Sequence, residues 1–193
     1  MNINLITAPS LEPLTLTEVK SYLRISNTDD DTYLTALITA SRKYCENYEN
    51  RAYITQVWEM YLDEWPSDII KIPKGKLQTI NSIKYKNSSS VETTLANTEY
   101  VYSTKGILGR LTPAYGKFWP MFTPYPLDAI TINFTCGYGT LASTVPETVK
   151  QAMYLLISHW YENRIPLNDK MGVPTELNFT ITALLWQERI LNI

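Results

Sequence analysis

Apolar residues recur at helical spacing near both ends of this chain and at strand spacing between them. The longest helical pattern covers 144–164, TVPETVKQAMYLLISHWYENR. Val149, Met153, Leu156 and Trp160 fall at i, i+4, i+7 and i+11, one continuous stripe. Tyr154, Ile157 and Tyr161 form a second stripe on another side. A helix apolar on more than one side is usually packed between partners, so this stretch predicts a central packing helix. Thr144 and Glu147 have the spacing of a capping box, and Pro146 sits where the helix needs no N–H.

Two further helices are predicted before it. Residues 1–13 read as extended, because Pro9 and Pro13 block helix. Thr15 and Glu18 then form a capping box, with Leu14 and Val19 placed for a hydrophobic staple, which predicts a helix over 15–23. Asp29, Asp30 and Asp31 put negative charge where the macrodipole of the next helix favours it. That helix, 30–50, carries Leu34, Leu37, Ile38, Ser41, Cys45 and Tyr48 on one face. A last helix is expected at 180–189, with Ile181, Leu184, Leu185 and Trp186.

The texture changes at Ala52. Residues 54–65 alternate in part, with Trp58, Met60 and Leu62 on one side. Short strands are expected at 69–72, 100–102 and 107–111, and a hairpin at 80–85 and 91–95 around Lys86-Asn87-Ser88-Ser89-Ser90. The proline- and aromatic-rich stretch 113–126 reads as an ordered but irregular loop. Residues 127–135 alternate cleanly, with Ile130, Ile132 and Phe134 on one face. The predicted fold class is α+β. Residues 1–51 and 141–193 form an antiparallel helical frame, and 52–140 an inserted β-rich subdomain.

Composition narrows the function classes. The 193 residues carry a net charge of −2, which gives no global pull toward nucleic acid. The 14 tyrosines and 5 tryptophans suit wet interfaces as well as sheet packing. Two cysteines, Cys45 and Cys136, do not make a disulfide framework, so a reducing compartment is expected. No signal peptide or membrane span is expected.

Catalytic chemistry finds little support. His159 with Cys45 or Cys136 could form a nucleophile–base pair, but no oxyanion-hole motif accompanies either cysteine. His159 and Glu162 could touch one metal, yet a site needs three or four ligands. The aspartate run lacks the spacing and glycine of a calcium loop, and Gly137-Tyr138-Gly139 lacks the third glycine of a dinucleotide fingerprint. No cofactor and no enzymatic activity are expected. Two local features have both a structural and a functional reading. Lys71, Lys74, Lys76, Lys84 and Lys86 either guard a sheet edge or face phosphate. Leu184, Leu185, Trp186 and Arg189 either fold back on the central helix or anchor a partner.

The order of several short motifs goes further. The run Leu14-Thr15-Leu16-Thr17-Glu18-Val19-Lys20 with Leu23-Arg24-Ile25, then the aspartates before Leu34, Leu37 and Ile38, resembles the opening of the head–tail connector proteins of tailed bacteriophages and prophages. The likeness continues through Ile54-Thr55-Gln56 with Trp58, Trp65-Pro66, Gly137-Tyr138-Gly139, Val145-Pro146 and His159-Trp160-Tyr161-Glu162-Asn163-Arg164. The β-rich middle resembles the longer branch of that family, since its shortest members are nearly all helical. The resemblance implies a structural virion protein at the head–tail junction, present in the bacterial host cytoplasm during assembly. It implies a homo-oligomeric ring of about twelve copies with heterologous contacts. The implied partners are the portal protein, a downstream neck or tail-completion protein, and non-specific DNA in the lumen, with no membrane. A small cytosolic hydrolase and a generic host protein-interaction module are the rival readings.

Overall fold

Thr15 caps its helix in both directions. Its hydroxyl accepts from the Glu18 N–H at 3.2 Å, and the Glu18 carboxylate accepts from the Thr15 N–H at 2.7 Å. This capping box starts helix α1, Leu16–Leu23. Leu14 and Val19, the staple pair, are both buried. The computed structural model describes residues 2–163 and 175–191. They form a mixed α+β fold of four α-helices and two antiparallel sheets. The chain divides into two compact units: Met1–Pro9 with Thr55–Tyr138, and Ser10–Ile54 with Gly139–Ile193. The expected cuts at 51/52 and 140/141 leave residues 1–9 in the helical frame. Those residues instead supply a strand to the sheet unit.

In the helical unit, α2 is Asp31–Glu49 and α3 is Glu147–Glu162. α2 buries Leu34, Leu37, Ile38, Ser41 and Cys45, all on the predicted face. α3 buries Val149, Met153 and Leu156 on one stripe and Ile157 on the other. Trp160 departs from the expected pattern: it is half-buried, edge-on to Tyr44 with centroids 6.1 Å apart. The capping box expected at Thr144 is absent. Residues Ala142–Thr144 make a 3-10 turn, and the Thr144 hydroxyl donates back to the Leu141 carbonyl at 2.6 Å. Pro146 takes the cap position, and its carbonyl accepts from Val149 and Lys150.

Helix α4 is Thr175–Trp186, earlier than the predicted 180–189. It stops where the end of α2 takes over its polar groups. The Arg51 Nε donates to the Glu188 carbonyl, the Asn50 amide donates to the Ile190 carbonyl at 3.1 Å, and the Ile190 N–H donates to the Glu49 carbonyl at 2.8 Å. Backbone groups satisfied this way have no need of a further helical turn.

In the sheet unit, strands β1 to β8 are Asn2–Thr7, Gln56–Leu62, Ile70–Ile72, Leu77–Lys86, Glu92–Thr94, Tyr100–Ser103, Gly109–Pro113 and Ile130–Cys136. One sheet has the order β1-β2-β8-β4-β5 and the other β3-β7-β6. β8 alternates as predicted: Ile130, Ile132, Phe134 and Cys136 are buried. β4 buries Leu77, Ile80 and Ile83, a spacing of three. Two register shifts explain it, because Gln78 and Asn81 are bulged out of the ladder with β8. Leu77, Ile80 and Ile83 therefore face Cys136, Phe134 and Ile132, and the buried layer stays in phase.

Candidate interaction surfaces

The groups weighed for catalysis are held in structural roles. Cys45 and Cys136 are fully buried and share no disulfide, one in each unit. Burial pushes the Cys45 thiol far above its ordinary range, with Glu49 and Glu46 adding to the effect, so it offers no thiolate for attack. His159 is half-buried in the last turn of α3, its Nδ1 3.2 Å from the Asn163 side-chain nitrogen. Among the described residues no cluster of His, Cys, Asp or Glu could hold a metal ion. Among them, too, no helix is long and apolar enough to cross a membrane.

Buried charge is concentrated along α2 and serves the fold. Arg42 binds Glu12 at 2.6 Å and Glu46 at 2.7 Å, and Glu46 accepts from the Tyr53 N–H at 2.9 Å. Next to this network Glu49 is fully buried. Burial pushes its carboxyl up to about 7, while Tyr53 and Arg51 pull the other way and Glu188 adds to the rise.

The five lysines lie on and between different elements of the sheet unit. Lys71 is exposed on β3, an edge strand of the three-stranded sheet. Lys84 and Lys86 lie on β4, which is interior to the five-stranded sheet, so edge protection fits Lys71 alone. Lys84 pairs with Glu92 at 2.8 Å. Lys74, Lys76 and Lys86 stand over the rings of Trp58, Tyr138 and Tyr125 at 5.0, 5.7 and 4.3 Å. The aromatic partners come from other segments, so the linear sequence around the lysines hides them.

The four C-terminal residues also separate. Leu185 is fully buried in the helical unit, together with Ile181 and Ile190. Leu184 is half-buried and Trp186 is 54% exposed. The Arg189 guanidinium lies between the Tyr48 and Trp186 rings, at 4.7 and 5.1 Å. The helix thus folds back on its own unit and leaves Trp186 outward, held against Arg189.

Sequence reasoning gave no role to the loop after β7. Residues 114–126 are pinned at several points to β4 and its surroundings. Trp119 stacks on Trp65, and Phe122 packs on Tyr85 with centroids 5.0 Å apart. The Ser88 N–H donates to the Thr123 carbonyl and the Tyr125 N–H to the Lys86 carbonyl, at 2.9 and 3.1 Å. Lys117 binds Glu99 at 3.1 Å. Between these anchors Tyr115, Phe118 and Met121 point into solvent, the last two 86% and 100% exposed. The signal was present as the pattern Phe118-Trp119-Pro120-Met121-Phe122, in which outward and inward residues alternate as pairs.

On the helical unit, Tyr22 of α1 stacks on Tyr154 of α3 with centroids 4.7 Å apart. Together with Thr17, Glu18 and Ser21 they line an open pocket of about 500 Å³. The Glu18 carboxylate is already engaged by the Thr15 N–H and hydroxyl, both at 2.7 Å.

Comparison with known proteins gives the chain's family and the relatives of its fold. A family model described as "Head completion protein" matches residues 12–172. Three solved structures share the fold over 100% of this chain and 97% of theirs. One is a chain of the neck of an empty gene transfer agent (GTA) particle computed with C6 symmetry, at 23% identity and a TM-score of 0.81. Another is from the virion of the native gene transfer agent particle, at 24% and 0.80. The third is from the neck of the native particle computed with C12 symmetry, at 22% and 0.69. No curated protein matches.

Proposed function

We propose that this chain, which belongs to the head completion protein family, sits as a ring in the neck of a phage-like particle, between portal and tail. The family assigns it a structural role, not an enzymatic one. The observation that carries the neck reading is the family match over 12–172. The full-length likeness to neck chains solved with C6 and C12 symmetry supports it. In this reading about twelve copies form a closed ring with heterologous contacts. One face meets the portal protein, the other a downstream neck or tail-completion protein, and DNA passes through the lumen.

The surfaces are consistent with these roles. Trp186, backed by Arg189 and flanked by Leu184, is the type of side chain that dominates interfaces, and we assign it to the portal or to a neighbouring copy. Lys71 and Lys76 are exposed cations suited to a DNA path. Lys74, Lys84 and Lys86 are half-buried beside rings or an acid and contribute to the same field more weakly. Native mass spectrometry across concentration, with and without portal, tests the ring. Cyclic species of high order are expected, and a stable twofold dimer that never goes further would sink the reading. Reversing Lys71 and Lys76 to Glu should leave folding intact and impair DNA retention in a salt-dependent way. An unchanged infectious or transfer titre would remove the DNA role.

A further inference from the structure

We infer that the loop 114–126 of one copy docks, through Phe118 and Met121, into the Tyr22–Tyr154 pocket of the next copy. The inference rests on the ring reading and names one of its contacts. Three observations lead to it. First, Phe118 and Met121 are held out in solvent by a loop already fixed by the Trp119–Trp65 and Phe122–Tyr85 contacts. A preordered loop loses little conformational freedom on binding, and exposed apolar side chains on such a loop mark a protein contact. Second, the loop's one cation, Lys117, is engaged by Glu99, so the tip offers nothing to a phosphate. Entry of Phe118 between base pairs would require unstacking the duplex beside cations that hold the phosphates, and with Lys117 engaged the better partner is an apolar surface on a protein.

Third, such a surface exists on the same chain. The open pocket beside the stacked Tyr22 and Tyr154 rings is about 500 Å³ in volume, has Thr17, Glu18 and Ser21 as its other walls, and its one acid is tied to Thr15. A closed ring requires every copy to carry two different complementary patches. A projecting pair of apolar side chains and a recessed aromatic pair satisfy that requirement. A twofold contact could also seat each loop in the other copy's pocket, but it would close at two copies, whereas the ring carries the contact on from copy to copy.

Cysteine cross-linking tests the contact directly, because Cys45 and Cys136 are buried and do not compete. The full chain carrying both Phe118→Cys and Ser21→Cys is oxidised at concentrations where the parent chain is cyclic by native mass spectrometry. A covalent ladder ending in one closed species is expected, with no ladder from either single variant. Dimers from Phe118→Cys alone, or a product of the double variant that stops at the covalent dimer, would overturn the proposal in favour of a twofold contact. Absence of a ladder while the parent chain still forms rings would overturn this contact and leave the ring standing. Absence of cyclic species from the parent chain, alone and with portal, would take the ring reading down and this contact with it. The pair Phe118→Ser with Met121→Ser should keep the parent melting temperature and lose the cyclic species. Rings that persist in it, with loss of binding to another neck protein, would reassign the loop to that protein.

Discussion

Trp119 lies flat on Trp65, with ring centroids 4.4 Å apart and planes 4° apart. The contact ties an irregular loop to the residue just beyond β2. Trp65 acts through its ring, which also meets Tyr85 edge-on at 6.5 Å, while its indole N–H is buried without a hydrogen-bond partner. Trp65→Ala should therefore cost ~2 kcal/mol and free the loop, while Trp65→Phe should cost under about 1 kcal/mol because it also removes the orphaned donor. Thermal melts with hydrogen exchange at 114–126 check both. Equal protection of the loop in Trp65→Ala and the parent would show that the backbone bonds alone hold it.

The two neighbours Leu185 and Trp186 should separate stability from binding. Leu185 is fully buried, so Leu185→Ala is expected to cost about 2–4 kcal/mol. Trp186 is more than half exposed, so Trp186→Ala should stay within about 1 kcal/mol of the parent and weaken association with portal or neighbouring copies. Denaturant unfolding and a portal-binding assay measure the pair. A large stability loss at Trp186 would place it in the fold instead of the interface.

Thr15 and Thr144 occupy similar sequence contexts and different structures. Thr15→Ala removes a two-way cap and should cost about 1 kcal/mol. The Thr144 hydroxyl bonds backward to Leu141 and caps nothing, so Thr144→Ala should cost less than half as much. Chemical denaturation of the two variants side by side decides, and equal losses would contradict the assigned caps.

Glu49 predicts how stability depends on pH. Its carboxyl holds a proton to about 7 in the folded chain, against an ordinary value of 4.5, chiefly through burial. Between these values the folded state binds a proton that the unfolded state has lost. Stability from this group therefore declines as pH rises through that window and is level above it. Glu49→Gln should remove the decline, giving a gain on the order of 2 kcal/mol at about pH 8 and little gain near pH ~4.5. Unfolding curves collected across pH for parent and variant are the measurement. Parallel profiles would mean that Glu49 is not the titrating group.

What was legible in the sequence followed from local chemistry. The capping box at Thr15, the face of α2 and the alternation of β8 each depend on residues a few positions apart. What was hidden depended on distant partners. The sequence suggested a strand from 80, because Gln78 and Asn81 break the alternation, and only the ladder to β8 shows them as bulges. Gln78 then donates to the Gly137 carbonyl and Asn81 to Asn133, bonds no local pattern announces. The capping signal at Thr144 misled because Leu141 offered its hydroxyl a nearer acceptor. The end of α4 was set by Asn50 and Arg51, far away in sequence. The outward residues of 114–126 gained meaning only when Trp65 and Tyr85 were seen to hold the inward ones.

The pairing of Gln56 with Cys136 bears on the order in which the chain folds. These residues lie at the two ends of the 55–138 excursion, and just outside them Ile54 and Gly139 form a parallel bridge. Bringing α2 against α3 across an open excursion of that length carries a closure entropy of about 4 kcal/mol. Once β2 and β8 have zipped, most of that entropy has already been lost, and the two helices are linked through the short segments 50–55 and 137–146. Substitutions at the β2–β8 seam, such as Phe134→Leu, should then slow the appearance of the helical core although they lie in the other unit. The sheet acts as a clasp that the helices inherit ready-closed.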